Sequence, residues 1–190
     1  ARRVFAEQLE PLSLEDFTAL ALVMTEAGGL GLYNGGTAAG ASQRHKHVQW
    51  IPGTDEQAHL RLYQPGLPAE AEAQTVARHP GLAMQHVFVR TGEIQGMPVE
   101  QAAKTLHQAF QRGCSELGLA PASDGLMPSF NLLAGDGWLL LIPRTQEMYE
   151  GISFSAICFG GALFTRQPEQ MELIRSVGPL AALAGVGYPL

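Results

Sequence analysis

Phe130-Asn131-Leu132-Leu133-Ala134-Gly135-Asp136-Gly137-Trp138-Leu139-Leu140-Leu141-Ile142 is the stretch from which the fold can be read. Two apolar runs of strand length flank Gly-Asp-Gly, a combination that folds the chain back on itself, so residues 130–142 predict a β-hairpin. Before it, residues 85–90 read as a strand. Pro98 then opens a helix with Val99, Ala102, Ala103, Leu106, Phe110 and Leu117 on its buried side, stopped by Gly118. After it, residues 154–165 read as a further strand region broken at Gly160-Gly161, and a last helix covers residues 168–177. Strands and helices fall in separate runs without repeated βαβ units. That pattern predicts an α+β fold, an antiparallel sheet with flanking helices.

The N-terminal third adds one more helix. Ser13 caps it, Asp16 follows three residues on, and Leu14, Phe17, Leu20, Ala21 and Met24 form one apolar stripe that Gly28-Gly29 ends. A short strand at 30–33 runs into the loop Asn34-Gly35-Gly36-Thr37-Ala38-Ala39-Gly40-Ala41-Ser42. Residues 44–51 alternate as a strand would, and Pro52-Gly53 closes them. Residues 53–83 hold several Pro and Gly with no clear period, and read as a long connection with at most one short helix.

Composition narrows the partners. Twelve Lys and Arg against eighteen Asp and Glu leave a net charge of −6, the opposite of what a polynucleotide-binding surface needs. A small phosphorylated ligand stays open, because a few local cations and main-chain N–H groups hold one. Cys114 and Cys158 show neither CxxC spacing nor a disulfide framework and read as free thiols of a reducing, cytoplasmic setting. No apolar run is long enough to span a membrane, and Arg2-Arg3 leading into Glu7 and Glu10 is not a signal-peptide layout.

The chemistry concentrates in His45-Lys46-His47-Val48-Gln49. On a strand, His45, His47 and Gln49 share one face, and Lys46, Val48 and Trp50 take the other. Two imidazoles and an amide then converge beside a glycine-rich loop able to bring N–H groups to an anion. Neutral imidazole attacks phosphorus to give a phosphoramidate, provided its second nitrogen keeps a proton for a fixed acceptor. Gln49 offers an uncharged amide N–H to a phosphate oxygen, and Ser42 with the N–H groups of residues 41–43 takes developing charge. Taken alone, the pattern fits a phosphate site, a metal site or incidental histidines alike. His59, His79, His86 and His107 lie outside it and read as structural or surface residues.

The string Tyr33-Asn34-Gly35-Gly36-x-x-x-Gly40-Ala41-Ser42-Gln43-x-His45-Lys46-His47-Val48-Gln49 resembles the active-site block of the ATP adenylyltransferases, or diadenosine tetraphosphate phosphorylases. That family belongs to the histidine-triad superfamily. Pro128-Ser129-Phe130-Asn131-Leu132-Leu133, with Trp138 and Ile142-Pro143-Arg144, is similar to its second block. The resemblance implies a histidine-triad-like sheet and a single nucleotidyltransferase domain over residues 1–190. It also implies reversible phosphorolysis of diadenosine tetraphosphate to ATP and ADP, with His47 as nucleophile forming adenylyl-histidine. By the same likeness His45 supports His47 by hydrogen bonding, and Asn34, Gly40, Ala41, Ser42, Gln43 and Gln49 contact the nucleotide and its phosphates. Ser155, Ala156 and Ile157 match a nucleotide-contacting stretch of the eukaryotic members, with Ser155 standing for their Asn. Ala162 and Arg166 stand for their Met and Lys, and the Arg keeps the charge.

The partners so implied are diadenosine tetraphosphate, ATP, ADP and phosphate, bound by a monomer or homodimer without polynucleotide or membrane. No tightly bound cofactor and no dedicated metal site are expected, Mg2+ arriving with the polyphosphate. Hexose-1-phosphate uridylyltransferases, which typically carry His-Pro-His, are the nearest catalytic alternative. A nucleotide-binding module without turnover is the alternative from another class. One departure is expected to matter: family members carry a segment before the residues matching Ala1, supplying core strands and part of the nucleotide pocket, and it is read as absent here.

Overall fold

A computed structural model describes residues 4–53 and 58–190. In chain order the elements are α1 (Leu14–Ala27), β1 (Leu30–Gly35), β2 (Gln49–Ile51), β3 (Val76–Ala77), β4 (Val87–Arg90), α2 (Val99–Leu117) and β5 (Phe130–Gly135). They continue with β6 (Trp138–Pro143), β7 (Met148–Tyr149), β8 (Ile152–Ser153), α3 (Ala156–Phe159), α4 (Pro168–Val177) and α5 (Pro179–Ala184). The expected hairpin is the centre of a six-stranded antiparallel sheet ordered β2-β1-β5-β6-β4-β3. Gly135 pairs with Trp138, so Asp136 and Gly137 alone make the turn. Both have positive φ, 50° and 77°, the mirror-image turn whose twist suits a hairpin. β7 and β8 form a separate small hairpin.

β5 and β6 are buried at every residue because the sheet is covered on both faces. On one face Tyr33, Leu132, Leu139, Leu141 and Val87 meet α1 and α2, which pack together through Phe17 and Phe110. On the other, Leu30, Leu32, Leu133, Leu140 and Phe88 meet Leu60, Tyr63, Phe154, Phe159 and the C-terminal helices. Alternate residues of one strand thus serve two separate cores. α1 begins as predicted: the Asp16 carboxylate accepts from the Ser13 main-chain N–H at 2.8 Å and from its hydroxyl at 3.2 Å. α2 likewise runs from Pro98 to Gly118, which takes a left-handed φ of 64°.

Three expectations change. Only Gln49–Ile51 of the 44–51 segment lies in the sheet; before it, His45 makes an isolated bridge with Glu7. The reason is a competing partner. Residues 6–8 take the main-chain bonds, with Gln8 N–H donating to Arg44 O and Lys46 N–H to Ala6 O. Residues 154–165 form no strand in the structure. Their apolar run turns into α3, which buries Ala156, Cys158 and Phe159, because β1 and β5 already have a neighbour on each side. The long connection holds a 3-10 turn at Arg61–Gly66 and also the edge strand β3, and residues 54–57 lie outside the described residues.

His86 is structural, as read from the sequence, and it is held as the neutral ring. Its Nδ1–H donates to Met84 O at 2.7 Å, while Nε2 accepts from His79 N–H at 2.8 Å. Burial, first of all, lowers its pKa below the ordinary 6.5. Its contribution to stability is therefore complete above pH 6.5 and is lost as the pH falls through the lower folded-state value. We expect the denaturation midpoint to drop between about pH 7.5 and about pH 5, and His86→Gln to show a smaller drop over the same interval. Equal pH dependence in the two proteins, by urea titration, would contradict this.

Candidate active site

His47 follows the point where β1 and β2 part, at the pair Leu32 and Gln49. Its Nδ1 lies 2.9 Å from the His45 carbonyl. A carbonyl only accepts, so Nδ1 carries the proton and Nε2 keeps a lone pair. His45 thus orients the nucleophile candidate through its main chain. Its own ring packs at 5.4 Å from Phe5, and among the described residues its Nε2 has no hydrogen-bond partner. Lys46 is buried rather than solvated: its ammonium donates to Pro11 O at 2.8 Å and stands 3.5 Å from the Asp16 carboxylate.

Asn34, at the end of β1, ties the remaining pieces together. Its Oδ1 accepts from Ala156 N–H at 2.7 Å and from Asn131 Nδ2 at 2.8 Å. A main-chain N–H can only donate, which fixes the orientation of the Asn34 amide. Asn34 Nδ2 then faces Gln49 Oε1 at 3.3 Å. That leaves the Gln49 NH2 to face outward as a donor. Behind them, Asn131 Nδ2 also holds Ala39 O at 2.9 Å, and Arg144 donates to Asn131 Oδ1. The buried Arg144 guanidinium donates further to the carbonyls of Val186, Gln146 and Phe154. Burial lowers its pKa to about 10, so it stays charged at neutral pH.

The glycine-rich loop contains a short 3-10 turn at Thr37–Ala39, and Gly40 follows with φ 85°. A Cβ at Gly40 would stand 2.9 Å from that of Ser155, so loop and α3 cap pack in direct contact. Ala41, Ser42 and Gln43 line a cavity of about 250 Å³ with Gln8, Leu9 and Thr37. Ser155 and Arg166 line a second, of about 240 Å³, with Ser153, Cys158 and Phe164. Ser155 thus meets the loop at Gly40, whereas Arg166 lies at the separate second cavity and two further candidates line neither. Ile157 and Ala162 pack, half-buried, against the core. Nothing in the sequence marks Gln8 as a site residue, and Tyr33 and Arg144 stand in it only as parts of the family blocks. Gln8 lies in an irregular segment with no period to single it out. Among the described residues no group of three or more His, Cys, Asp or Glu is placed to hold a metal ion.

This arrangement is an α+β fold, an antiparallel sheet with flanking helices, that carries a histidine and a glycine-rich loop where β1 and β2 part. The chain belongs to the ATP adenylyltransferase family. The family described as ATP adenylyltransferase C-terminal domain matches residues 80–189, and that described as Ap4A phosphorylase N-terminal domain matches residues 1–69. The expected lack of a family N-terminal segment is not borne out, since residues 1–69 match that N-terminal domain. The structure of yeast Ap4A phosphorylase Apa2 is similar at TM-score 0.73 and 17% identity, covering 98% of this chain and 66% of that one. Its complex with Ap4A gives 0.73 at 16%, and its complex with AMP 0.72 at 17%, each over 97% of this chain and 66% of the other. At such identity the likeness is one of fold. No curated protein matches the chain in sequence.

Packing of the loop on Ser155 is testable with two glycines of positive φ. Gly92, with φ 71°, has nothing within 4 Å of the point a Cβ would occupy, so Gly92→Ala should cost only the left-handed backbone penalty, about 1–2 kcal/mol. Gly40→Ala adds a collision with Ser155 and should cost clearly more by urea titration. Equal losses would show that the loop does not bear on α3.

Proposed function

We propose that this chain is a nucleotidyltransferase that reversibly phosphorolyses diadenosine tetraphosphate to ATP and ADP. His47 Nε2 attacks the α-phosphorus; the N–P bond forms as the P–O bond to departing ATP breaks. Inorganic phosphate then attacks the adenylyl-histidine, its oxygen replacing the nitrogen on phosphorus, and ADP leaves. One observation carries the reading: the Nδ1–H bond to His45 O, which leaves the Nε2 lone pair for attack. As the N–P bond forms, the imidazole gains positive charge, and the carbonyl already holding Nδ1–H stabilises it.

The remaining roles follow from position. The outward NH2 of Gln49 is set to meet a non-bridging phosphate oxygen, its other side occupied by Asn34. Gly40, Ala41, Ser42 and Gln43 supply N–H groups and a hydroxyl to the phosphates, and Asn34 holds this loop's neighbour α3 in place. Ser155 and Ala156 with Arg166 form the nucleotide side, Arg166 lining the second cavity, while Ile157 and Ala162, half-buried against the core, support that side from behind. A divalent cation such as Mg2+ enters with the polyphosphate, neutralising its charge. Residues 1–190 act as one unit, since the six-stranded sheet draws strands from both family-matched segments. Yeast Ap4A phosphorylase Apa2, the similar fold, has been solved with Ap4A and with AMP, which supports a small nucleotide as ligand.

Incubated with diadenosine tetraphosphate and no phosphate, the protein should accumulate an adenylyl group on His47, seen as the added mass in a peptide spectrum. Adding phosphate should discharge it as ADP. His47→Ala should show neither step while still binding ATP by calorimetry. Binding without any covalent adduct in the native protein would replace this reading with a module that binds nucleotide without turnover.

A further inference from the structure

The register of β1 and β2, if continued past Leu32 and Gln49, would set Tyr33 opposite Val48 and, one rung further, Asn34 opposite His47. That rung is not a main-chain pair. The carboxamide of Gln8, 4% exposed, occupies it. His47 N–H donates to Gln8 Oε1 at 3.0 Å. Gln8 Nε2 donates to the Asn34 carbonyl at 2.7 Å and to the His47 carbonyl at 3.4 Å. A primary amide offers the same donor and acceptor as a peptide group, so it completes the ladder while holding the two chains a side chain apart.

Gln8 is itself fixed on both sides. The Tyr33 hydroxyl donates to its carbonyl, and its N–H donates to Arg44 O at 2.7 Å. Tyr33 is a fully buried β1 residue, so Gln8 is referenced to the centre of the sheet. A second anchor lies next to it, where Lys46 reaches back to Pro11 and Asp16. Residues 45–47 are thereby held out of the sheet in the path that brings the His47 ring to the carbonyl two residues back.

We propose that Gln8 is a positioning residue for His47, its carboxamide standing in for a ladder rung and setting the main chain from which the imidazole is aimed. The inference rests on the reading of His47 as the nucleophile, but its geometric part stands apart from turnover. Gln8 acts through the His47 peptide and not on the reacting phosphorus. Its loss should therefore lower the rate of adenylyl transfer and leave nucleotide affinity largely intact.

The test uses Gln8→Met, which keeps length and volume but has neither the donor nor the acceptor. Two readouts are needed: the imidazole 15N resonances of His47 in the free protein, and the single-turnover rate of adenylyl-histidine formation. The native protein should show one tautomer, protonated at Nδ1. Gln8→Met should show a mixture of tautomers and a rate about 100-fold lower, the scale for a misplacement of about 1 Å, at little-changed KM. Tyr33→Phe, which removes only the hydroxyl that anchors Gln8, should shift both readouts in the same direction by less. It carries the decision if Gln8→Met does not fold. A folded Gln8→Met, or failing that Tyr33→Phe, with the native tautomer and rate overturns the inference. A disturbed tautomer in a protein that forms no adduct even as wild type would sink the functional reading and leave the positioning role in place.

Discussion

The ladder between β1 and β2 closes for three rungs and then parts, and the site exists because of how that gap is held open. In an unbroken sheet the residues after Leu32 and before Gln49 would pair along their main chains, and their N–H and C=O groups would be spent on each other. Here the gap is spanned by the Gln8 carboxamide on one side and by the Asn34 side chain reaching Gln49 on the other. Both bridges are amides. Each is buried or half-shielded, each has a fixed donor and acceptor, and neither brings charge into the gap. The glycine-rich loop that follows β1 bears on Ser155 through Gly40.

Charge is instead placed behind the site. Arg144 lies in a cage of carbonyl oxygens and the Asn131 amide, with the Phe159 ring 5.4 Å from its guanidinium carbon. Neutral oxygens satisfy its donors, but they cancel little of its field in a low-dielectric interior. The donors of the chain point one way: Arg144 to Asn131, Asn131 to Asn34, Asn34 to Gln49. Reversing any one amide would set an oxygen against an oxygen or a donor against a donor. The guanidinium, which has no acceptor at all, therefore dictates which face Gln49 presents to a ligand.

Periodicity made the local elements legible. α1, α2, the β5–β6 hairpin and α4 rest on caps, turn residues and apolar spacing within a few positions, and all appear where those signals put them. The segment at 44–48 has the alternation of a strand but not its partner. Its bonds go to residues 6–8, which carry no period and are about forty positions away. The same limit applies to α3: Ile157, Cys158 and Phe159 suit a strand locally, but the segment lies against β1 and β5, which already have a neighbour on each side, and there it forms a helical turn. Of the site, residue types and the glycine loop could be read directly. Gln8 could not, because a lone glutamine signals nothing until the rung it replaces is known.

The seam between β1 and β5 explains why the chemistry cannot be assigned to one half of the chain. Residues matching the N-terminal domain supply His47, the loop and Gln8; residues matching the C-terminal domain supply Asn131, Arg144, Ser155 and Arg166. Five residue pairs join the two strands, from Gly31–Ala134 to Gly35–Phe130. Asn34 and Asn131 are opposite one another in that register, so the side-chain bond between them is a direct consequence of strand pairing. A slip of one residue by either strand would turn its amide to the other face and part Asn34 from Asn131. Residues of the two apolar cores alternate along the same strands, and the slip would also exchange those cores. Packing that merely stabilises the sheet thus also fixes the amide on which the outward face of Gln49 depends.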